Sequence, residues 1–317
     1  MSASKRILGM LDFQPLELKD IPMARPFLAN NAQRLCDLTI GGLFMWRDWF
    51  HNEFVIAADC LIISMRIFDS HTAYTVPLGE NREEALRLLE AHCQEKGEPL
   101  VFCIVGDMDL PLLSDRYPDF HAIAERDYFD YLYEAQDLLK LRGGKHRSTR
   151  GNINRFLRST PDWRFEMITQ DNIQAVCAFA CAVEAENPPD NSTLAEEAKK
   201  IREVLDHMRD YNMFGGVLFI GDEVAGFSLA EIESDTLYVH VEKADTQYRG
   251  VYQMLVSEFM KMFGDSKSIA FINREDDNGD PGLRQSKMTY APVALLSKYT
   301  VYTDQSKPEW MERCYMS

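Results

Sequence analysis

No stretch of this chain approaches the roughly 18 to 20 uninterrupted apolar residues that a spanning helix needs. The opening MSASKRILGMLDF also lacks the long apolar region of a secretion signal. The expectation is a cytosolic protein with no transmembrane segment. Basic charge is scarce too: 34 Lys and Arg stand against 50 Asp and Glu, for a formal net charge of -16. That balance disfavours general nucleic-acid binding, because attraction to phosphate comes from an excess of Lys and Arg over a face. Cysteine is sparse and has no pairing pattern. Cys36, Cys60, Cys93, Cys103, Cys177, Cys181 and Cys314 sit mostly in apolar runs such as VFCIV, without disulfide-framework spacing or CxxC pairs. Cys177 and Cys181 lie one helical turn apart, but no His or Cys pair completes a shell around them, so no metal is expected.

What is present begins with an exception to the acidity. Between Lys140 and Arg158 stand Lys140, Arg142, Lys145, Arg147, Arg150, Arg155, Arg158 and His146, with no Asp or Glu among them. A charge run is ordinarily a solvated helix face. The alternative is that Lys145, Arg147 and Arg150 ring a phosphate-binding pocket, with Asn152 and Asn154 adding neutral hydrogen bonds. A hydrophobic share of 46% over 317 residues supports two medium domains, each able to bury a core.

Periodicity supplies the elements. EFVIAADC, LIISMRIF and TAYTVPL are rich in β-branched and aromatic residues and read as strands. NREEALRLLEAHCQEKG repeats apolar positions at helical spacing and stops at Gly97; PLVFCIVG and FDYLYEA follow as strands. Near the start, RPFLANNAQRLCDLTIGGLFMWRDWF reads as helical segments broken at Gly41-Gly42. The second half opens with the helix STRGNINRFLRST and the strand DWRFEMIT, then two helices, then three strands turning at Gly221-Asp222 and Ser234-Asp235. A helix over QYRGVYQMLVSEFMKMFG, the strand SIAFINRE and a final strand or strand pair in VALLSKYTVYTD complete it. That order is the layout of a GNAT acyltransferase, and the first half shows a weaker version. The expected class is α/β (α+β): tandem GNAT-like acyltransferase domains with mixed, mainly antiparallel sheets flanked by helices. The domains are placed at 1–140 and 141–305, with a polar tail over 306–317.

Three segments carry a resemblance to a known family. DLLKLRGGKHRSTRGNINRFLR, LYVHVEKADTQYRGVYQMLVSEF and INREDDNGDPGLRQSKMTYAPVALLSKYTV resemble the phosphatidylglycerol lysyltransferase C-terminal domain family, tandem-GNAT relatives of the Fem-type aminoacyltransferases. The likeness implies a fold and a reaction class, transfer of an acyl or aminoacyl group by the second domain. It includes soluble bacterial members that lack the membrane-embedded part of the full lysyltransferases.

In TLYVHVEKA, strict alternation places Leu237, Val239 and Val241 on one side and Tyr238, His240 and Glu242 on the other. The resemblance matches Glu242 to an acidic residue of the lysyltransferases, which implies a general base or an amine-binding carboxylate, with His240 able to relay the proton. The other reading of both is a solvated strand face. DTQYRGVYQ takes the place of the Q/R-x-x-G-x-G/A loop with which acetyl-CoA-binding GNAT enzymes cradle a pyrophosphate. Gln247, Arg249 and Gly250 remain, but Tyr252 stands at the second glycine position, where a ring hinders approach of backbone to phosphate. Arg284 and Lys287, three apart, project together on a helical turn and can hold an oxyanion. DDNGD lacks the EF-hand spacing and closing Glu, and reads as a solvated acidic turn.

These readings expect an acyl- or aminoacyltransferase in which Glu242 and His240 handle the proton while Lys287 and Arg284 stabilise the oxyanion. Lys145, Arg147, Arg150, Asn152, Gln247, Arg249 and Gly250 would hold the donor. No tightly bound cofactor is expected; the donor is aminoacyl-tRNA or acyl-CoA, and the acceptor an amine or hydroxyl on a small molecule, lipid or peptide. Two other readings stay open at this point: a CoA-dependent GNAT N-acyltransferase, and a non-catalytic binding protein on the same tandem fold.

Overall fold

The strand-forming runs build two separate sheets. The computed structural model describes residues 10–29, 31–67, 71–186 and 192–303. One sheet belongs to a unit drawn from residues 1–28, 46–126 and 297–317, the other to a unit drawn from residues 29–45 and 127–296. They are called unit 1 and unit 2.

The chain enters unit 1 through β1 (Gln14–Pro15) and α1 (Ile21–Leu28), then passes through α2 (Ile40–Met45), which is part of unit 2. Unit 1 resumes with β2 (Glu53–Ala57), β3 (Cys60–Ile67), β4 (His71–Tyr74) and β5 (Leu78–Gly79). These lead to α3 (Arg82–Lys96), β6 (Val101–Val105), α4 (Leu110–Arg116) and β7 (His121–Ala124). Helix α3 forms where expected: it buries Ala85, Leu86, Leu89 and Cys93, and Gly97 ends it in the left-handed conformation. Its apolar stripe packs on Ile62, Tyr74 and Phe102 of the sheet.

Unit 2 continues with β8 (Asp130–Glu134), α5 (Ala135–Lys140), α6 (Arg147–Ser159), β9 (Trp163–Met167), α7 (Ile173–Glu186), α8 (Ser192–Asp206) and α9 (Met208–Tyr211). There follow β10 (Phe214–Ile220), β11 (Glu223–Glu233), β12 (Thr236–Ala244), α10 (Val251–Phe259), β13 (Phe271–Asn273), α11 (Pro281–Met288) and β14 (Ala294–Leu296). The last described strand, β15 (Tyr299–Tyr302), returns to unit 1. Among the described residues no helix is long and apolar enough to cross a membrane.

Both sheets follow one plan. Unit 1 is ordered β1-β2-β3-β4-β6-β15-β7, with β5 on β3, and unit 2 β9-β10-β11-β12-β13-β8-β14. The sixth place in each is filled from a distant part of the chain: β15 in unit 1, β8 in unit 2. The compact units therefore cut the chain differently from a single boundary at 140. DYLYE lies in unit 2, and so does 29–45, while the last strand lies in unit 1; the expected tail over 306–317 lies outside the described residues. A second correction concerns Gly41-Gly42, which sit inside α2 rather than breaking it. A Cβ on Gly42 would strike the Cys36 carbonyl and one on Gly41 the His240 ring, so glycine here permits close approach.

Candidate functional site

The sheet of unit 2 splits beside β12. This strand runs nine residues, yet it pairs with β13 only through Thr236–Tyr238 against Phe271–Asn273, in parallel. Beyond Tyr238 the chain after β13 stays with β8 instead, the Arg274 N–H donating to the Tyr131 carbonyl at 3.1 Å. On its other side β12 pairs with β11, and there Leu229 faces Val241 while Ala230 faces Val239. His240 is thus an extra residue, a bulge, and a bulge resets the alternation. Ser228 and Ala230 share a face, so their partners Glu242 and Val239 do too, and that face packs on α10 through Val256 and Phe259. The single polar face expected of Tyr238, His240 and Glu242 is corrected: His240 stays with Glu231, and Glu242 projects to the other side.

Neither side is the solvated face of the bland reading. The His240 imidazole is buried, with Nε2 at 2.9 Å from Glu231 Oε1 and Nδ1 at 2.7 Å from Glu275 Oε1. Glu231 Oε1 also accepts the Gly41 N–H at 2.6 Å, which ties α2 to the bulge. Burial opposes a charge on His240, but the hydrogen bonds and charges of Glu231 and Glu275 outweigh it and raise its pKa to about 10. An imidazolium whose two N–H groups both donate has no lone pair with which to relay a proton.

Glu242 meets a different partner. Arg274 donates to its Oε2 from Nε at 3.0 Å and Nη2 at 2.6 Å, with the guanidinium 4.6 Å from the centre of the Tyr290 ring and 5.9 Å from that of Tyr133. Arg274 stands in the INREDDNGD segment and has no role in the sequence reading. The residues around it make a fixed loop. Asn273 donates to Asp130 at 2.9 Å and to the Arg34 carbonyl at 2.7 Å. Asp130 also accepts the Cys36 N–H at 2.7 Å, a hydrogen-bond knot rather than an open ligand set. Lys287, expected to hold an oxyanion, is buried, and its Nζ donates to the carbonyls of Arg274, at 2.5 Å, and Asp276. Burial lowers its pKa. Arg284, its expected partner, forks onto Asp277 at 2.9 and 2.7 Å and reaches Asp127 at 2.6 Å. Burial works against the Asp277 charge, yet hydrogen bonds from Arg284 and Tyr131 bring its pKa down to about 2. Both cations hold the loop 274–277, Lys287 through its carbonyls and Arg284 through Asp277.

The start of α10 is packed by α6. Gly250 caps α10 at φ +88, and a Cβ there would strike the Asn152 carbonyl, so the backbone of α6 lies against the start of α10. The Asn152 carbonyl lies against Gly250, and Tyr252 is half-buried in the first turn of α10. Gln247 bonds to Asp245 at its own turn, and Arg249 is exposed. Within the basic stretch Lys145 pairs with Asp137 at 2.7 Å, and Arg150 donates to the carbonyls of Leu141 and Gly143 at 2.5 and 2.8 Å. Arg147 faces outward. With Gly151, Asn154, Arg155 and Arg158 it forms an exposed stripe about 100° wide on a helix of 3.6 residues per turn, while Thr149 and Phe156 are buried opposite. Among the described residues Arg147, Arg155 and Arg158 have no carboxylate partner. Sequence spacing carried the signal for Arg155 and Arg158. A depression of about 530 Å³ lined by Arg164, Glu166, Asn172 and Phe219 lies at the edge strand β9, three places from β12, and includes none of these groups.

Residues 29–302 match the family described as phosphatidylglycerol lysyltransferase, C-terminal. A crystal structure of a conserved protein of unknown function from Bacteroides thetaiotaomicron VPI-5482 is similar, with a TM-score of 0.84 and 29% identity over 93% of this chain and 100% of that one. L-PGS from Bacillus licheniformis has a TM-score of 0.64 at 14% identity over 98% of each chain. FemX has a TM-score of 0.58 at 8% identity over 95% of this chain and 99% of its own. An uncharacterized protein of Mycoplasmoides gallisepticum is 23% identical over 175 residues, 54% of this chain and 55% of that protein; the chain spans about half the length of the curated relative it matches. The architecture is the tandem GNAT-like one that the element order led us to expect.

Proposed function

The chain belongs to the phosphatidylglycerol lysyltransferase C-terminal family, whose family and fold support acyl or aminoacyl transfer, and on that premise we propose that it moves an aminoacyl group from aminoacyl-tRNA to an amine or hydroxyl acceptor. The observation that carries the choice of donor is the placement of α6. Its backbone lies against Gly250 at the start of α10, which narrows the room an acyl-CoA pyrophosphate would need to reach the helix N–H groups. Its outer face presents Arg147, Arg155 and Arg158 over about 16 Å of helix, a reach that suits the backbone of a polyanion better than one pyrophosphate. Charge-paired arginines would add nothing there, and these three are not charge-paired.

In this reading unit 2 does the chemistry. Glu242 Oε1 accepts no hydrogen bond among the described residues and stands at the split of the sheet. There it takes the proton of the attacking amine or hydroxyl. The nucleophile's bond to the ester carbonyl carbon forms, the carbon–oxygen bond to the ribose breaks, and the proton passes to the departing ribose oxygen. Backbone N–H groups along the unpaired edge of β12 supply the oxyanion donors, in place of Lys287 and Arg284. Titration calorimetry with charged tRNA and with acetyl-CoA tests the donor. Salt-sensitive binding of the tRNA with no detectable acetyl-CoA binding is expected. Tight, stoichiometric acetyl-CoA binding would make a CoA-dependent N-acyltransferase the better reading.

A further inference from the structure

We propose that Arg274 is the positioning residue of the transfer site, holding Glu242 at the sheet split with one carboxylate oxygen open; the inference rests on the role given to Glu242 above. Among the described residues, the other arginines that send two bonds to one carboxylate use both of its oxygens. Arg34 on Asp235, Arg116 on Glu90 and Arg284 on Asp277 each send Nε to one oxygen and Nη2 to the other. That is the fork that maximises a structural contact. Arg274 instead sends Nε and Nη2 to the same oxygen, Oε2, and leaves Oε1 without a donor.

The side chain that does this is fixed at both ends. Its backbone N–H is bonded to Tyr131 and its carbonyl to Lys287 Nζ, and the guanidinium is held against the Tyr290 ring. Little rotamer freedom is left to lose when a substrate arrives. Two further polar atoms accompany the open oxygen. Ser228 Oγ, on the residue opposite Glu242, and Arg274 Nη1 are both buried with no hydrogen-bond partner among the described residues. Buried polar groups are rarely left unsatisfied. Two on neighbours of one half-used carboxylate mark a place where a polar substrate group completes the set.

The test compares Arg274→Met, Arg274→Lys, Arg274→Ala and Glu242→Gln with wild type. Total tRNA charged with radiolabelled amino acids serves as donor, and phosphatidylglycerol vesicles, ethanolamine and a lysine-containing peptide as acceptors. Arg274→Met is expected to lower kcat by about 100-fold with donor KM within about threefold. Arg274→Lys should lose about tenfold, since an ammonium lacks the planar fork. Guanidinium ion added to Arg274→Ala should restore at least about tenfold, and do nothing for Glu242→Gln. Melting curves run alongside show whether each variant is folded, and Arg274→Lys with the guanidinium rescue carries the test if Arg274→Met is not. Wild-type kcat in a folded Arg274→Met or an undiminished Arg274→Lys, with Glu242→Gln inactive, would overturn the positioning role and leave Glu242 standing. Wild-type kcat in Glu242→Gln, or no transfer by wild type to any of these acceptors, would overturn the underlying reading as well.

Discussion

In unit 1, β4 meets its parallel neighbour β6 at the pair Tyr74 and Phe102, and the residues past that point are Thr75 and Val76, both buried. In unit 2 the equivalent stretch of β12 carries the His240 bulge and Glu242. The helices that follow differ in the same sense. Helix α3 has Glu83 and Glu84 in its first turn, which repel an anion from its positive end, whereas α10 has no acid there and starts at Gly250 under α6. The arginine at the start of α3, Arg82, pairs with the buried Asp109. Two sheets with one plan of pairing thus share a split and do not share its contents. Both folds supply the opening, but among the described residues only in unit 2 does a carboxylate, Glu242, stand past it with an arginine crossing to hold it.

The comparison can be broken most directly by acid substitutions in the two units. Glu242→Gln should lower turnover by about 10²–10⁴-fold, the range of a general base, while Glu84→Gln in unit 1 should leave it within about twofold. Equal losses from both, measured as initial rates of aminoacyl transfer, would remove the distinction between the units.

The next effect is on stability. His240→Gln leaves Glu231 and Glu275 without the cation between them, a loss of about 3–5 kcal/mol in urea unfolding. Its pKa is raised from 6.5 to about 10, so the His240 contribution is fully present below about pH 6.5 and disappears as pH rises through 10. Wild type should weaken between pH 7 and 10, and His240→Gln should lack that slope.

A smaller effect separates two glycines. Gly250→Ala combines φ +88 with a clash on the Asn152 carbonyl, whereas Gly97→Ala, at the end of α3, has φ +67 with nothing within 4 Å. We expect about 1 kcal/mol for Gly97→Ala and more for Gly250→Ala, read from melting temperatures.

These contrasts also show what the amino-acid order could disclose. Helices such as α3 and α6, and strands such as β10 to β12, follow from local periodicity, and their turns fall at the expected Gly221-Asp222 and Ser234-Asp235. DYLYE carries no local mark of which sheet it joins, because a short buried strand looks alike in either. The reversal at His240 was hidden for a related reason: a bulge is defined by the partner strand, and LYVHVEK read alone alternates without a break. Arg284 and Lys287 were placed correctly on one helix turn, yet their spacing could not tell that Asp277 and two loop carbonyls would claim them. The carboxylates that hold His240 come from β11 and from the loop after β13, and only the folded sheet brings them together. The resemblance singled out Glu242, whereas nothing local in the sequence marks the Arg274 that holds it.

The proposed function has α6 seating the donor phosphates. Its most direct test is the affinity of charged tRNA as a function of salt for wild type and for Arg147→Gln/Arg155→Gln/Arg158→Gln, with circular dichroism confirming that the helix remains. The account predicts binding weaker by about tenfold in the triple variant and a slope of log affinity against log salt shallower by about 2 to 3, because three fewer contacts release counterions. A triple variant that binds as wild type does, with the same slope, would show that the arginine stripe is only a solvated helix face and that the donor lies elsewhere.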